Sequence, residues 1–342
     1  MRPMRQLTFL GPGSLEWRDV PEPALTGEGE ALVRPIAVAT CDLDIALLQG
    51  AAALPGPFAF GHEFVADVVE VSDGAPAAVG DRVLVPFQIS CGQCPPCLRG
   101  STGSCEVATP LASYGLAPFT KEWGGALSDL VRVPYADAML VPLPRDVDAA
   151  AVASVSDNVP DGYRGVAPGL AARPGVPVLI LGGAAAGSVG LYAAAVAVAL
   201  GSERVDYVDR DPVRLAVAER VGANPIDAGF DRDFGRYPVT VDHTGEHDGL
   251  RAAIKSTEND GICTATAIYF ERSTPLPMLE MYTNGITFRT GRVNARHEMP
   301  AVLDLVVAGK LAPELVTVAV LDWDDAAEGL PEQRYKTVVT RP

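Results

Sequence analysis

Four cysteines within fifteen residues are the densest set of chemically capable side chains in this sequence. They follow the spacing C-x2-C-x2-C-x7-C, at Cys91, Cys94, Cys97 and Cys105. Four thiolates on so short a segment can surround one tetrahedral Zn²⁺, and a site made only of thiolates is closed and stabilises the fold. An iron–sulfur cluster is the alternative, although this spacing differs from that of the ferredoxins.

Two further candidate ligands, Cys41 and His62, lie upstream of the four cysteines. Glu63 follows His62 directly, in a Gly-His-Glu triplet that precedes a predicted strand. Taken alone, one buried cysteine and one histidine are often ordinary core residues. The residues by themselves therefore do not decide whether Cys41 and His62 share a metal.

The segment from Val176 to Arg214 has the order strand, glycine turn, helix, strand and acid. An uncharged β-branched run predicts a buried parallel strand, and the alanine-rich stretch after the glycines predicts a helix. Gly187, Ser188, Val189 and Gly190 supply the second half of a dinucleotide fingerprint, whereas Ala185 stands in place of its first glycine. The N–H groups at the start of such a helix favour a pyrophosphate.

The second strand, Arg204 to Val208, leads to Asp209, where a dinucleotide-binding fold places the carboxylate that bonds the adenosine ribose. An anion there repels a 2′-phosphate, so NAD(H) is predicted in preference to NADP(H). Binding of NADP(H) remains the alternative, because the guanidinium of Arg210, next to the acid, can bind a phosphate.

Two other interpretations of the glycine segment stay open. Nothing between Pro174 and Ser202 is charged, as in a transmembrane helix, although glycine and alanine contribute little to membrane insertion. A buried βα unit that binds no ligand would show the same pattern. Two more apolar runs, from Val239 and Gly261, alternate with helical stretches such as GLRAAIKS, and this order predicts a parallel sheet.

The rest of the chain supplies the elements that must hold these groups. Residues 7–144 alternate short apolar runs with glycine and proline, which predicts an all-β domain. The length of 342 residues and the 48% apolar content suit two domains.

A net charge of −16 argues against nucleic acid and against a membrane as partners. The N-terminus lacks the pattern of a signal peptide, so a cytoplasmic location with reduced cysteines is expected.

The order of these motifs resembles the zinc-dependent medium-chain alcohol dehydrogenases over essentially the whole chain. The resemblance rests on Cys41, the Gly-His-Glu triplet, GDRV at 80–83, the four-cysteine lobe and the dinucleotide fold. It implies an α/β chain in which a GroES-like β catalytic domain is interrupted by a Rossmann domain with a doubly wound parallel sheet. The expected boundaries are 1–150, with the zinc lobe at about 88–108, then 151–287, then 288–342 as the return to the catalytic domain. The final KTVVTRP is expected to form an edge strand.

The resemblance also implies a second, catalytic zinc, making two per chain. In the family it is held by a cysteine, the histidine of the triplet and a third residue, so the expected ligands here are Cys41, His62 and Asp157. Asp161 competes for the third place, although it suits a helix N-cap equally well. Glu63 is expected to orient the metal or to exchange with it. Three ligands leave an open position, at which zinc acts as a Lewis acid.

The sequence departs from this family at Leu43, where relatives carry a serine or threonine that passes the alcohol proton to solvent. Asp42 and Asp44 flank this position and could replace it. Arg214 stands where relatives place a basic residue near the ribose. The expected cofactor contacts are Gly183, Gly187, Ser188, Val189, Gly190, Asp209, Arg210 and Arg214. His243, His247 and His297 are expected to be ordinary polar residues, and Cys263 a core residue.

These features predict a zinc-dependent dehydrogenase that prefers NAD(H), interconverts an alcohol with an aldehyde or ketone, and forms a homodimer or homotetramer. Leu43 motivates one alternative, an NAD(P)H-dependent reductase of activated C=C or C=N bonds, since that reaction needs no such proton relay. The other alternative is a non-catalytic, zinc-stabilised nucleotide-binding protein. The intact set of Cys41, His62 and Asp157 argues against it, because a protein without chemistry has little use for an open metal site.

Overall fold

The structure is a computed structural model that describes residues 2–52, 54–116, 120 and 123–342. The chain divides into two compact units. The first unit comprises Met1–Pro160, Asn294–Leu303 and Thr317–Pro342, and the second comprises Asp161–Val293 and Asp304–Val316. The domain boundaries expected from the sequence, after residues 150 and 287, stay a prediction.

The strands of the described residues are numbered along the chain. They are β1 (Pro3–Gly11), β2 (Ser14–Pro21), β3 (Ala31–Ala39), β4 (Phe58–Ala59), β5 (Glu63–Val71), β6 (Arg82–Val85), β7 (Val131–Val133), β8 (Val141–Pro142), β9 (Val178–Leu181), β10 (Val205–Asp209), β11 (Asn224–Asp227), β12 (Tyr237–Asp242), β13 (Thr257–Ala265), β14 (Thr287–Arg289), β15 (Ala319–Asp322) and β16 (Thr337–Thr340).

The helices are numbered in the same way. They are α1 (Asp42–Leu48), α2 (Pro95–Leu98), α3 (Ala136–Met139), α4 (Ala149–Val152), α5 (Asn158–Ala172), α6 (Ser188–Ala199), α7 (Pro212–Arg220), α8 (His247–Lys255), α9 (Met278–Asn284), α10 (Ala295–Val307) and α11 (Ala326–Gly329). Short 3₁₀ turns lie at Thr102–Ser104, Ala153–Ser156, Pro313–Val316, Trp323–Asp325 and Leu330–Glu332.

The second unit is built on a six-stranded parallel sheet of order β11-β10-β9-β12-β13-β14. Counted along the chain this is the order 3-2-1-4-5-6, so the predicted doubly wound sheet is confirmed. Every residue of β9 is fully buried, as its uncharged sequence predicted. The strand order reverses between β9 and β12, and sheets of this kind bind ligands at the carboxyl ends of the strands on either side of such a reversal.

The uncharged segment that also suggested a transmembrane helix divides into β9 and the twelve-residue α6. Its residues from Ser188 to Ala197 are all buried, which explains why this helix carries no charge on any face. Among the helices that the structure describes, none has both the length and the apolarity needed to cross a membrane.

Within the part of the first unit that the structure describes, two sheets are mostly antiparallel. One has the order β15-β16-β3-β5-β6-β8, with β7 also paired to β3, and the other has the order β2-β1-β4. Leu7, Phe9, Phe60 and Phe64 are among the buried side chains of their shared core. The mostly antiparallel sheets of the first unit and the parallel sheet of the second agree with the predicted β domain and α/β domain.

The expectation that the final strand lies at an edge of its sheet is wrong. β16 lies between β15, to which it is parallel, and β3, to which it is antiparallel. β15 takes the edge position instead. It has only four residues, of which two are exposed and two half-buried, so its sequence carries little sign of a strand.

Candidate functional site

Cys41 is placed by the start of α1, of which it is the N-cap. Its Sγ accepts a hydrogen bond from the Asp44 backbone N–H at 3.3 Å, and the Asp44 carboxylate accepts one from the Cys41 N–H at 3.0 Å. This reciprocal capping box satisfies two N–H groups that the helix itself leaves unpaired. The cysteine sulfur is thereby held at a defined place beside the helix, and Asp44, which the sequence left as a possible relay, is buried in this role.

His62 and Glu63 lie where the chain enters β5. The preceding Gly61 has a φ of +87°, and a Cβ added to it would lie 3.2 Å from the Leu127 nitrogen and from a Val38 methyl group. Glycine is therefore needed for the turn that delivers both side chains. His62 and Glu63 are completely buried although both are polar.

Asp157 follows the 3₁₀ turn Ala153–Ser156. The last residue of this turn, Ser156, is hydrogen-bonded to β5. The Ser156 hydroxyl accepts a hydrogen bond from the Phe64 N–H at 3.2 Å and donates one to the Phe64 carbonyl at 2.9 Å. This attachment brings Asp157 Oδ2 to 3.4 Å from His62 Nε2. Sequence reasoning missed Ser156, because a serine in an apolar stretch gives no sign of a partner 92 residues away.

Cys41, His62, Glu63 and Asp157 form one group, since a ligand atom of each lies within 4.8 Å of the others. Both ring nitrogens of His62 lack a hydrogen-bond partner among the described residues, and so does Oε1 of Glu63. Burial raises the pKa of the Cys41 thiol, and the carboxylates of Asp44, Asp157 and Glu63 raise it further. Burial lowers the pKa of His62, but Asp44 and Asp157 raise it to about 9.

Such a concentration of buried anionic groups, around ring nitrogens that lie near carboxylates but form no hydrogen bond, favours a cation among them. A thiolate, an imidazole and a carboxylate are also the donors that Zn²⁺ prefers in open sites. The group therefore fits a catalytic zinc. Asp161, the competing third ligand, forms an ion pair with Arg164 in α5 and does not belong to this group.

Lys336, which sequence reasoning missed, is buried beside Glu63. Its Nζ donates to Glu63 Oε2 at 2.7 Å, to Asn158 Oδ1 at 2.9 Å and to the Thr40 carbonyl. Burial raises the pKa of Glu63 well above its ordinary value, and the ammonium group reduces this effect. Lys336 thus fixes one oxygen of Glu63 and leaves the other among the candidate metal ligands.

We expect Lys336→Met to lower the free energy of unfolding by about 3 kcal/mol, because it leaves the buried Glu63 without its charged partner. Urea unfolding of the two proteins measures the difference. Lys336→Arg retains the charge and is the matched control, with a smaller expected loss. Adding Glu63→Gln to Lys336→Met should recover part of the stability. Equal stability of Lys336→Met and the wild type would contradict a stabilising ion pair.

The four-cysteine lobe forms a second group, in which all four sulfur atoms lie within 4.8 Å of one another. The sulfurs of Cys94 and Cys105 are 3.9 Å apart, much farther than the S–S bond length of about 2.05 Å. A tetrahedron with Zn–S distances of about 2.3 Å has an edge of about 3.8 Å. The separation therefore suits thiolates that share a metal rather than a disulfide.

Backbone N–H groups surround these sulfurs. Gln93 and Cys94 donate to the Cys91 sulfur at 3.5 and 3.4 Å, and Glu106 donates to the Cys94 sulfur at 3.5 Å. The hydrogen bonds from the Glu106 and Cys97 backbone lower the pKa of Cys94 to about 6, whereas burial raises the pKa of Cys91 and raises that of Cys97 to about 12. Hydrogen bonds of this kind favour the thiolate, the form that binds metal. The lobe fits a closed tetrahedral zinc site.

The glycine turn of the second unit lies at the carboxyl end of β9, beside the reversal in strand order. Gly187 is the N-cap of α6 with a φ of +75°, and a Cβ on Gly190 would lie 3.3 Å from His243. Ala185, at the position of the missing glycine, adopts a φ of +44°, a left-handed conformation that favours glycine. The N–H groups of the first turn of α6 point toward the glycine turn, as in a site that binds a pyrophosphate.

Asp209 ends β10 and is 2% exposed. Its Oδ1 accepts from the N–H groups of Arg210 and Asp211 at 2.7 and 2.9 Å and from Arg214 Nη2 at 2.8 Å. Its Oδ2 accepts from the Tyr207 hydroxyl at 3.1 Å and from Arg214 Nε at 2.8 Å. Burial raises the pKa of Asp209, but the hydrogen bonds and charge of Arg214 bring it below its ordinary value. Sequence reasoning missed Tyr207 and the two-pronged contact of Arg214.

The remaining residues that the sequence singled out do not belong to either group of candidate metal ligands. His243 Nδ1 is 3.1 Å from the Thr266 hydroxyl, and His247 Nε2 is 3.1 Å from a Glu271 oxygen. Cys263 is fully buried in β13. Leu43 is half-buried against the apolar core of the first unit, so no hydroxyl stands at the position of the family's relay.

Comparison with known proteins gives a consistent result. A family model, the alcohol dehydrogenase GroES-like domain, matches residues 27–145. The structure of the alcohol dehydrogenase TADH from Thermus sp. ATN1 is 30% identical and has a TM-score of 0.89, covering 99% of this chain and 100% of that one.

Two curated relatives extend this comparison. The glutathione-independent formaldehyde dehydrogenase of Pseudomonas aeruginosa is 32% identical over 281 residues, which are 78% of this chain. The match spans 66% of that relative's length, slightly under two thirds. A probable zinc-binding alcohol dehydrogenase of Mycobacterium tuberculosis is 27% identical over 342 residues, covering 98% of this chain and 86% of the relative.

Proposed function

The chain belongs to the zinc-dependent medium-chain alcohol dehydrogenase family, and from this premise we propose that it transfers a hydride between NAD(H) and an alcohol or its aldehyde or ketone. The observation that supports this most directly is the buried group of Cys41, His62, Glu63 and Asp157 in the first unit. Its ring nitrogens and one carboxylate oxygen lack hydrogen-bond partners among the described residues. A purely structural core would not retain so many unsatisfied polar atoms.

In this proposal Cys41, His62 and Asp157 hold the catalytic zinc. The metal supplies a Lewis acid for the oxygen of an alcohol or carbonyl substrate. One thiolate, one carboxylate and a neutral imidazole balance the charge of Zn²⁺, so the site favours neutral substrates. Lys336 neutralises Glu63 and thereby keeps a further negative charge from the metal. The Phe87 ring, with its centroid 5.5 Å from that of His62, limits the rotation of the imidazole.

The four-cysteine lobe holds the second zinc, which stabilises the fold of its segment. In the second unit the proposed cofactor residues are the ones expected from the sequence, at the glycine turn, at the start of α6 and around Asp209. The nicotinamide supplies the hydride acceptor or donor. The N–H groups at the start of α6 bind and orient the pyrophosphate. NAD(H) is proposed in preference to NADP(H) because the residue that ends β10 is an acid, Asp209, whose charge is paired with Arg214.

Metal analysis combined with an assay of carbonyl reduction tests this function. We expect two zinc ions per chain and consumption of NADH with at least one member of a panel of aldehydes and ketones, with the corresponding alcohol as product. Two zinc ions without turnover on any member would favour the non-catalytic alternative. Consumption of NADH by a protein without zinc would contradict the proposed mechanism.

Leu43 supports a second candidate function, reduction of activated C=C or C=N bonds. A branched apolar side chain stands where the dehydrogenation of an alcohol uses a hydroxyl to remove the proton. When hydride arrives at a carbon of a conjugated double bond, no alcohol has to lose a proton, so such a reaction does not need the relay. This candidate differs from the first in its product, which is a saturated carbonyl compound from a C=C bond or an amine from a C=N bond rather than an alcohol.

We expect Leu43→Ser to raise the rate of alcohol oxidation at neutral pH by at least about tenfold, because general acid–base help is worth about 10²–10⁴-fold. The measurement compares wild type and variant on a secondary alcohol and on an α,β-unsaturated aldehyde, with identification of the products. Leu43→Ala, which removes the bulk without adding a hydroxyl, is the matched control. Exclusive C=C reduction by the wild type would overturn the first candidate and establish the second.

A further inference from the structure

The carboxylate of Asp209 has no acceptor position left for a ribose. It receives five hydrogen bonds: two from backbone N–H groups, one from Tyr207 and two from Arg214. An ionised carboxylate offers about four lone-pair sites, so these donors occupy its capacity. A dinucleotide-binding fold normally leaves this acid available to the ribose hydroxyls. Here Asp209 is only 2% exposed and lies under the guanidinium of Arg214.

Arg214 is itself held in place over the glycine turn. Its Nη1 donates to the Ala185 carbonyl at 3.2 Å. A Cβ on Gly187 would lie 2.4 Å from Arg214 Cδ, so the stem of the arginine occupies the space above this glycine. Asp211, the N-cap of α7, accepts from the Arg214 N–H at 3.0 Å and fixes the backbone from which the side chain extends. The contact with Asp209 is therefore part of a built arrangement and not a chance approach of a surface arginine.

We propose that Arg214 is the residue that determines the choice between NAD and NADP, by masking the charge and the acceptor atoms of Asp209. This inference rests on nucleotide binding by the second unit, which is one part of the proposed function. The two side chains mask each other. Loss of Arg214 uncovers an anion that repels a 2′-phosphate, and loss of the Asp209 charge releases a guanidinium that can bind one through two parallel hydrogen bonds. The single changes therefore move the preference in opposite directions.

The test measures binding and requires no turnover. The dissociation constants of NADH and NADPH are determined by fluorescence titration at low salt, and the ratio of the NADPH constant to the NADH constant is compared. We expect Arg214→Met to raise this ratio about tenfold and Asp209→Asn to lower it about tenfold, the size of one charge-assisted hydrogen bond. Combining both changes should bring the ratio close to that of the wild type. Both shifts should shrink at high salt.

Arg210→Met tests the competing residue, because it removes the same charge from the neighbouring position. The Arg210 guanidinium lies against Gly229, and only the backbone N–H of Arg210 contacts the Asp209 carboxylate. We expect this variant to change the ratio by less than about threefold, as it leaves the masked pair intact. Arg214→Lys keeps the charge but loses the two parallel hydrogen bonds of the guanidinium, so it should raise the ratio by a smaller factor than Arg214→Met. This variant replaces Arg214→Met in the test if Arg214→Met does not fold.

The possible results separate this inference from the proposed function. A loss of affinity for both nucleotides in Arg214→Met with an unchanged ratio would mean that Arg214 only supports the glycine turn, and would overturn the inference. If Arg210→Met changes the ratio of the two dissociation constants and Arg214→Met does not, the inference is overturned and Arg210 determines the choice of nucleotide. If the wild type binds neither NADH nor NADPH, both the inference and the proposed function are wrong.

Discussion

Asp157→Ala is expected to contain one zinc ion per chain where the wild type contains two, and to lose more than about 99% of its turnover. The carboxylate lies 3.4 Å from His62 Nε2 and belongs to the group that includes Cys41 and Glu63. Without it, a thiolate and an imidazole alone make a weak zinc site, and the loss of even a group that only orients a ligand lowers metal affinity 10–100-fold, about 1.4 to 2.7 kcal/mol.

The same variant should unfold within a few degrees of the wild type. Its surroundings are held by other contacts: Cys41 is fixed by the capping box of α1, and Ser156 is hydrogen-bonded to Phe64. Zinc content by elemental analysis, NADH-dependent turnover and thermal unfolding are measured together. Asp161→Ala, which removes the competing carboxylate, is the matched control and should retain both zinc ions. Retention of both zinc ions in Asp157→Ala would move the third ligand to Glu63 or Asp161.

Cys94→Ser should have the opposite pattern, with loss of the other zinc and a decrease of about 10 °C or more in the midpoint of thermal unfolding. A hydroxyl does not replace a thiolate as a zinc ligand, and the lobe has little apolar core of its own. Its buried apolar cluster consists of the cysteines themselves with Tyr135 packed against them. The metal is therefore expected to provide most of the order of this segment.

Cys263→Ser is the matched control for this prediction, since it makes the same chemical change at a buried cysteine in β13, outside both groups. It should retain two zinc ions per chain. Turnover of Cys94→Ser is measured at a temperature at which it is still folded, where the catalytic zinc should remain bound. If Cys94→Ser keeps two zinc ions and the wild-type unfolding temperature, the lobe does not hold a structural metal.

Local patterns in the sequence were sufficient to predict the four-cysteine lobe as a unit and a parallel sheet, whereas the doubly wound order of that sheet was implied by the family resemblance. All four cysteines lie within one short segment, so their spacing alone limits how far apart their sulfurs can be. The apolar runs in β9 and β12 have the composition of buried parallel strands, and the glycines after β9 indicate a turn; both signals depend on neighbouring residues only. The same local reasoning failed for β15, whose half-exposed residues show no such pattern.

The group around His62 needed more than local pattern. The sequence alone left Cys41 and His62 as possible core residues, and only the family resemblance singled out Asp157. The contact between Ser156 and β5 joins residues 92 positions apart, and the ion pair between Lys336 and Glu63 joins residues 273 positions apart. A segment of about ten or twenty residues cannot predict contacts between residues so far apart in the sequence, because these contacts depend on which strands pair and in which register.

The sequence by itself therefore determined which residue types were present, the fold class and the segments that carry a glycine turn or a closed thiolate site. The tertiary structure alone decided that Lys336 neutralises Glu63 and that Arg214 covers Asp209. The second case involves residues only five positions apart, yet spacing did not predict it. A long arginine side chain has many rotamers, and the one adopted is set by the Ala185 carbonyl, the space above Gly187 and the helix start at Asp211, which come together only in the folded unit.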